Sequence, residues 1–184
     1  MHREINPGAF YYGFPVILLS TADKANHTNI TPISSSWSLG KNIVIGLVLG
    51  GKAVENLKST GEAVINLVPE NLIDNISRIE KLSGKTTPNK FEIAGLTPQE
   101  STTVAPKRVL ECPLQAEVKV SHITERTEEN YAIVEFTVVA FHGQDDVLFD
   151  KNRIDPTKWK PLIYNFRHYQ GLTETKGKNF KAYS

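Results

Sequence analysis

The chain has 184 residues and a mass of 20.5 kDa, with 40% hydrophobic and 22% charged residues, 12 glycines and 10 prolines. That length matches one ordinary domain able to bury a core, and the composition excludes disordered and fibrous chains. Twenty-one Lys and Arg against 20 Asp and Glu leave a formal net charge of +1, so no net field gathers phosphodiester backbones or anionic lipid, and neither nucleic acid nor a membrane is expected as a partner.

Residues 14–22 form an apolar run of strand length, and the polar stretch 23–28 reads as a reversal. Residues 29–37 resume as a strand, Gly40, Lys41 and Asn42 break the chain, and 43–49 read as a buried strand rich in β-branched side chains. Gly50 and Gly51 end it. Val54 and Leu57 then share one helical face over 53–60, with Gly61 as the stop, and 62–68 are a fourth strand. After Pro69, Leu72, Ile76 and Ile79 recur at spacings of four and three, which predicts a helix over 70–82 that covers a barrel end. Residues 83–106, rich in Thr, Pro, Gly and Lys, form an irregular excursion with one short helical turn at 91–96; an excursion of that length in a compact domain points to function. Residues 114–123 and 131–142 are the last long strands. Ala132, Val134, Phe136, Val138 and Ala140 alternate down one face, and the polar 124–130 joins the two strands as a hairpin. Residues 150–184 form a C-terminal tail. No repeat or heptad run interrupts this pattern, so 1–184 reads as a single domain, mainly β with short helices (α+β), built as an antiparallel barrel.

The chemistry-bearing residues are few. Cys112 is the one cysteine, which excludes an internal disulfide and a thiolate zinc site; beside Pro113 it reads as a small buried hydrophobe in a reducing, cytoplasmic protein whose first residues lack a signal pattern. His2, His27, His122, His142 and His168 have no metal-ligand spacing, so no metal is expected. Walker, Gly-x-Gly-x-x-Gly and Gly-x-Ser-x-Gly patterns are missing. Gly50, Gly51 and Lys52 before a helix start can hold an anion through free N–H groups and a cation; the alternative is a plain turn with a solvated lysine. Residues 31–40 gather small hydroxyls around Trp37, which suits a flat polar heterocycle; the alternative is an edge strand with Trp37 in the core. Residues 153–169 mix aromatic and basic groups, to wrap another subunit or complete a pocket, or simply to pack Trp159, Tyr164 and Phe166 as core.

Taken in order, the strings at 15–21, 29–32 (Asn-Ile-Thr-Pro), 34–40 (Ser-Ser-Ser-Trp-Ser-Leu-Gly), 55–67 (Glu-Asn-Leu-Lys-Ser-Thr-Gly-Glu-Ala-Val-Ile-Asn-Leu), 90–97, 105–117 and 161–169 span nearly the whole chain. In that order they resemble the flavin reductase-like family of FMN-binding split barrels, which includes flavoredoxin. The resemblance implies an antiparallel six-stranded split β-barrel of the FMN-binding type. It also implies a homodimer with one FMN per subunit near the interface. By the same resemblance Asn29, Thr31, Ser34, Ser35, Ser36 and Trp37 face the isoalloxazine and ribityl chain, and Lys52 with the helix start at Ala53 takes the phosphate. Ala53 stands where many relatives carry Thr or Ser, which removes one hydroxyl contact, about 1 kcal/mol. The usual Pro-Pro step before the third strand is replaced by Gly40, Lys41 and Asn42, which bears on loop shape.

The activity implied is hydride transfer from NADH or NADPH to bound or exchangeable flavin, with Arg167 and His168 as catalytic candidates on the nicotinamide or acceptor side. The alternative is a flavoredoxin-like electron carrier that works with a redox protein partner and turns over NAD(P)H poorly. A third reading is a flavin-sensing module without turnover.

Overall fold

In chain order the strands and helices are β1 (Tyr12–Pro15), β2 (Ile17–Ala22), β3 (Thr28–Ile33), β4 (Ser36–Leu39), β5 (Asn42–Val48), α1 (Lys52–Thr60) and β6 (Glu62–Leu67). There follow α2 (Ile73–Ile79), α3 (Lys90–Ala94), β7 (Pro98–Gln99), β8 (Arg108–Val109), β9 (Leu114–Arg126) and β10 (Tyr131–Gly143). The chain ends with β11 (Leu148–Asp150), β12 (Arg153–Ile154), β13 (Ile163–Asn165) and β14 (His168–Gln170). This computed structural model describes residues 1–8 and 10–179, so residues 180–184 of the expected tail lie outside the described residues.

The main sheet runs β3-β2-β6-β9-β10-β5-β4, with every neighbouring pair antiparallel. Its two edges, β3 and β4, are consecutive in the chain and separated only by Ser34 and Ser35. The segment read as one strand over 29–37 is therefore one bent strand that leaves β2 on one edge and reaches β5 on the other. The bend is held where Ser36 N–H donates to the Ser34 carbonyl at 3.0 Å and Gly46 N–H to the Ser35 carbonyl at 2.8 Å. Counting β3 and β4 as one strand leaves six, and the sheet closes covalently but not by hydrogen bonds, which is a split barrel. The apolar run 14–22 is likewise broken, at Val16. There the backbone pairs with Leu162 and Val68 (2.8 and 3.2 Å) instead of continuing, so β1 joins the small β1-β13-β14 sheet.

Each face of β2 is buried because each meets a different core. Ile17 and Leu19 point into the barrel with Ile45, Ile65, Val118, Val134 and Phe136. Leu18 points outward with Ile30 and Val68 against Ile76 and Ile79 of α2 and Ala94 next to them. A strand covered on both sides reads as an unbroken apolar run. The predicted helix 70–82 is shorter than expected: a 3-10 turn at Glu70–Leu72, whose Glu70 N–H donates to the Lys160 carbonyl at 2.9 Å, precedes α2. It covers the outer face of the sheet, not a barrel end. α1 matches its prediction, ending at Gly61 in the left-handed region (φ 69°) with its N–H on the Leu57 carbonyl. In β10 the alternation holds from Ala132 to Val138, and a bulge before Ala140 leaves that residue half-buried.

Two residues for which core packing is one of the two readings lie outside the core. Trp37 is 60% exposed and Phe166 is 45% exposed, whereas Trp159 and Tyr164 are half-buried. Cys112 does pack in the outer core, and burial, helped by the Glu111 charge, pushes its thiol far above the usual range, which leaves it unreactive. Among the described residues no helix is long and apolar enough to cross a membrane.

The most deeply buried carboxylate that fastens the excursion to the outside of the barrel is Glu117. Glu117 on β9 is fully buried and accepts from Thr102 N–H (2.7 Å), Thr103 N–H (2.6 Å), both threonine hydroxyls and His142 Nε2 (2.7 Å). Burial alone raises its pKa, but these hydrogen bonds outweigh that and bring it from 4.5 to about 2. A carboxyl with a depressed folded pKa contributes stability that is complete above pH 4.5 and is lost as pH falls through about 2. Glu117→Gln should cost about 3 kcal/mol at neutral pH and flatten the loss of stability between pH 4.5 and 2, read from urea midpoints across that range.

Candidate functional site

A cavity of about 440 Å³ opens where β3 ends, α1 begins and the chain after α2 passes over them. It falls within the usual size range of cofactor and small-molecule sites, about 300–1,000 Å³. Thr31, Ser34 and Ser35 come from the bent strand, and Gly46 and Val48 from β5. Gly51, Lys52 and Ala53 supply the helix start, while Ser83 and Gly84 close it from the excursion.

At the helix start, Gly51 is the N-cap and carries no side chain to satisfy the first-turn N–H groups of the nine-residue α1. Those donors and the positive end of the helix dipole suit an anion. Lys52 Nζ lies 2.6 Å from Glu55 Oε1, and Lys85 Nζ lies 3.8 Å from the other carboxylate oxygen, so two cations meet one anion there. The Lys52 partnership holds the Glu55 carboxyl below its usual range.

Asn29 sits behind this corner, 7% exposed, its Nδ2 donating to Thr31 Oγ1 at 3.0 Å. Its Oδ1 is buried without a partner. Gly84 passes so close that a Cβ there would lie 2.1 Å from Oδ1. Rotating the amide by 180° keeps the Thr31 bond, with the hydroxyl as donor, and leaves an N–H in place of the orphaned oxygen. Either way, a buried polar atom beside the cavity lacks a protein partner.

Deeper in the cavity wall is Lys90, the first residue of α3 and only 2% exposed. Its Nζ has one hydrogen bond, to the Ile30 carbonyl at 3.2 Å, and no carboxylate among the described residues pairs with it. Burial lowers its pKa. The opposite wall is aromatic: Tyr164 meets Tyr11 edge-on at 5.4 Å and Tyr169 across the β13–β14 pair at 5.4 Å. Tyr169 donates its hydroxyl to Glu80 Oε2 at 2.7 Å, and burial together with that carboxylate keeps the phenol protonated.

Of the sequence-selected residues, the fold brings together Thr31, Ser34, Ser35, Lys52 and Ala53 around this cavity, with Asn29 directly behind Thr31. Ser36 and Trp37 line a different cavity, because the bend at Ser35 turns the chain away. Arg167 and His168 line neither. They lie at the exposed turn between β13 and β14, where Phe166 and Arg167 have φ of 43° and 68°, and His168 Nδ1 lies 3.0 Å from the Phe166 carbonyl. Sequence reasoning missed Lys90, Glu80, Tyr11 and Tyr169, and it read Tyr164 only as core. A lysine opening a short helix inside a functional excursion was the available signal for Lys90.

A buried base with a depressed pKa makes the ligand-free fold gain stability as pH rises, because the unfolded chain binds more protons below pH 10.5. Cys112 and Tyr169, whose raised pKa values act in the opposite sense, are common to both chains, so the urea midpoint of the ligand-free chain relative to that of Lys90→Met should climb as pH rises toward 10.

The family model described as "Flavin reductase like domain" matches residues 10–173. The uncharacterized protein YdfE of Bacillus subtilis (strain 168) is 45% identical over 194 residues, which cover 98% of this chain and 94% of that protein. Flavoredoxin of Desulfovibrio vulgaris (Miyazaki F) has a similar structure at 21% identity, with a TM-score of 0.88 over 99% of each chain. The FMN-binding domain of a flavin reductases-like enzyme from Shewanella baltica OS155 superposes with a TM-score of 0.72 at 16% identity, covering 90% of this chain and 89% of that one. Fold and family match agree, and the chain belongs to the flavin reductase-like family.

Proposed function

We propose that the chain is an FMN-dependent oxidoreductase of the flavin reductase type, taking hydride from NADH or NADPH onto flavin held in the 440 Å³ cavity. The observation that carries the reading is the pairing, in one cavity, of an uncapped helix start with a buried ammonium that has no carboxylate partner among the described residues. A phosphate at one end and a polar ring that gains negative charge on reduction are the chemistry these two features accept. The orphaned amide of Asn29 and the close backbone of Gly84 fit the same ligand.

When bound, FMN supplies the hydride chemistry. Lys52 and the first-turn N–H groups of α1 hold the phosphate. Thr31, Ser34 and Ser35 offer hydroxyl and backbone groups along the ligand, and Ala53 adds only a methyl where a hydroxyl would bond. Lys90 favours negative charge in a region of low dielectric, where a fixed cation acts most strongly. The Tyr11–Tyr164–Tyr169 wall keeps water from that side. Arg167 and His168 lie exposed on the β13–β14 turn that follows Tyr164 and precedes Tyr169, and the nicotinamide is proposed to approach from that turn.

The site also borders an uncovered apolar surface. Helices cover the outer face of the sheet at β2 and β3, but at β4, β5 and β10 that face carries exposed Trp37, Leu39, Val48 and Tyr131. Val48 and Gly46 belong to this face and to the cavity together. A second copy of the chain is the proposed cover, with the flavin near the interface. Sedimentation should give a dimer that Leu39→Asp converts to monomer; a monomeric parent protein at micromolar concentration removes the proposal.

The deciding measurement is the anaerobic visible spectrum of the FMN-loaded protein before and after NADH, then NADPH. Prompt bleaching by a nicotinamide is the expected result, slowed at least tenfold when Arg167 and His168 are both replaced by Ala. Bleaching only by dithionite or a reduced protein partner would assign the carrier function instead. Failure to retain flavin would overturn the cavity assignment.

A further inference from the structure

The split in the barrel forms a second cavity, of about 290 Å³. It lies between residues 15–17, where β1 gives way to β2, and the Ser36–Ser38 stretch of β4, where the bent strand crosses from edge to edge. Its floor is the barrel interior, Ile17, Ile43, Ile65 and Leu67, and Trp159 and Pro161 from the tail stand against it. Ser36 and Ser38 pair with Ile45 and Ile43, so they share the inward face of β4. Among the described residues neither serine hydroxyl has a hydrogen-bond partner, and no charged side chain lines the cavity.

That combination defines a ligand class. An apolar floor without charge rejects ions, because nothing repays their desolvation. A space slightly below the usual range for drug-sized ligands, about 300–1,000 Å³, takes one or two fused rings. Two free hydroxyl donors at the rim select acceptor groups on the ring edge, since a bonded carbonyl is accepted there and a bare hydrocarbon leaves the donors unused. Trp159 at the rim offers an aromatic face for a flat molecule.

The position adds a role. Val16 lines both cavities, and Ser35 of the first is followed directly by Ser36 of the second. We propose that the split binds a neutral aromatic carbonyl compound of the quinone class, beside the flavin cavity. Binding requires only this cavity; the role of electron acceptor rests on the flavin reading given above. In that role, reduced flavin gives up two electrons and two protons, the two quinone carbonyls become hydroxyls, and the flavin is left oxidised.

The chain has only two tryptophans, and both lie at this cavity, Trp159 against it and Trp37 on the β4 strand that walls it, between Ser36 and Ser38, so intrinsic fluorescence reports on its occupancy. The experiment titrates menadione into the full chain, with and without FMN, and reads tryptophan emission after inner-filter correction. Saturable quenching in both forms is expected, weakened at least tenfold by Ser38→Leu, which fills the rim, and about fivefold by Ser38→Ala, which removes one donor. A naphthoquinone sulfonate should bind at least tenfold more weakly than menadione. Three results would overturn the proposal. Quenching that stays linear in menadione and indifferent to both variants would mean collision only. Competition by FMN would make the split part of the flavin site. Saturation seen only after dilution to monomer would mean that a second copy fills it. A chain that binds menadione but retains no FMN would uphold the site while removing the flavin reading, so the two fail separately.

Discussion

The fold depends on one crossing: the strand that leaves β2 must become the partner of β5 on the far edge of the same sheet, and it has two residues in which to do so. Serine at both positions makes the bend feasible. The side chains are small, and Ser35 lies against Gly46 so closely that a Cβ on Gly46 would stand 3.4 Å from its own. The same bend divides the two cavities, sending Thr31, Ser34 and Ser35 to one and Ser36 and Trp37 to the other. The dense hydroxyls of this segment thus serve the crossing first and the sites second.

Holding Lys90 in the wall of the larger cavity is the main electrostatic cost of the architecture. An ammonium with a single carbonyl for a partner is poorly compensated for its lost water. Packing keeps it there: α3 is only five residues long, yet Ala94 and Leu96 lock it into the outer core beside α2 and Ile30. The carboxylate of Glu117 fastens the following stretch at Thr102 and Thr103, so the excursion that carries Lys90 is anchored on both sides. A rigidly held, poorly solvated cation is a preorganised charge, and its effect on a ligand does not require rearrangement at the moment charge develops.

Much of this was legible in the sequence because it rests on local pattern. Alternation fixed β10, β-branched runs marked β5 and β6, and Gly61 announced the end of α1, since each signal is carried by neighbours in the chain. The breaks at Val16 and Ser34–Ser35 were not legible. Both occur where the backbone exchanges one partner for another far away, Leu162 and Val68 in one case and Gly46 in the other, and no single residue records that exchange. The site divides in the same way. Lys52 and the helix start could be read from adjacent glycines, but Lys90 and the tyrosine wall come from segments that meet only through tertiary packing. Trp37 misleads for a related reason: a large aromatic on a strand implies burial, and here its face of the sheet has no cover within the chain.

That uncovered face has a consequence for access. The helices α2 and α3 protect one half of the outer sheet surface and the other half is bare, so the boundary between them is the one place where a cavity can be walled by the chain's own core on one side and remain open to a partner on the other. Gly46 and Val48 lie on that boundary, and they are the β5 residues that reach the larger cavity. Glycine at 46 keeps the strand low where the bend crosses, and the exposed Val48 supplies apolar surface at the rim. A partner seated on β4, β5 and β10 would therefore deepen the cavity without displacing Lys52 or Lys90, which are held by α1 and α3. The side chains that set charge at the cavity are thus separate from those that form its apolar rim.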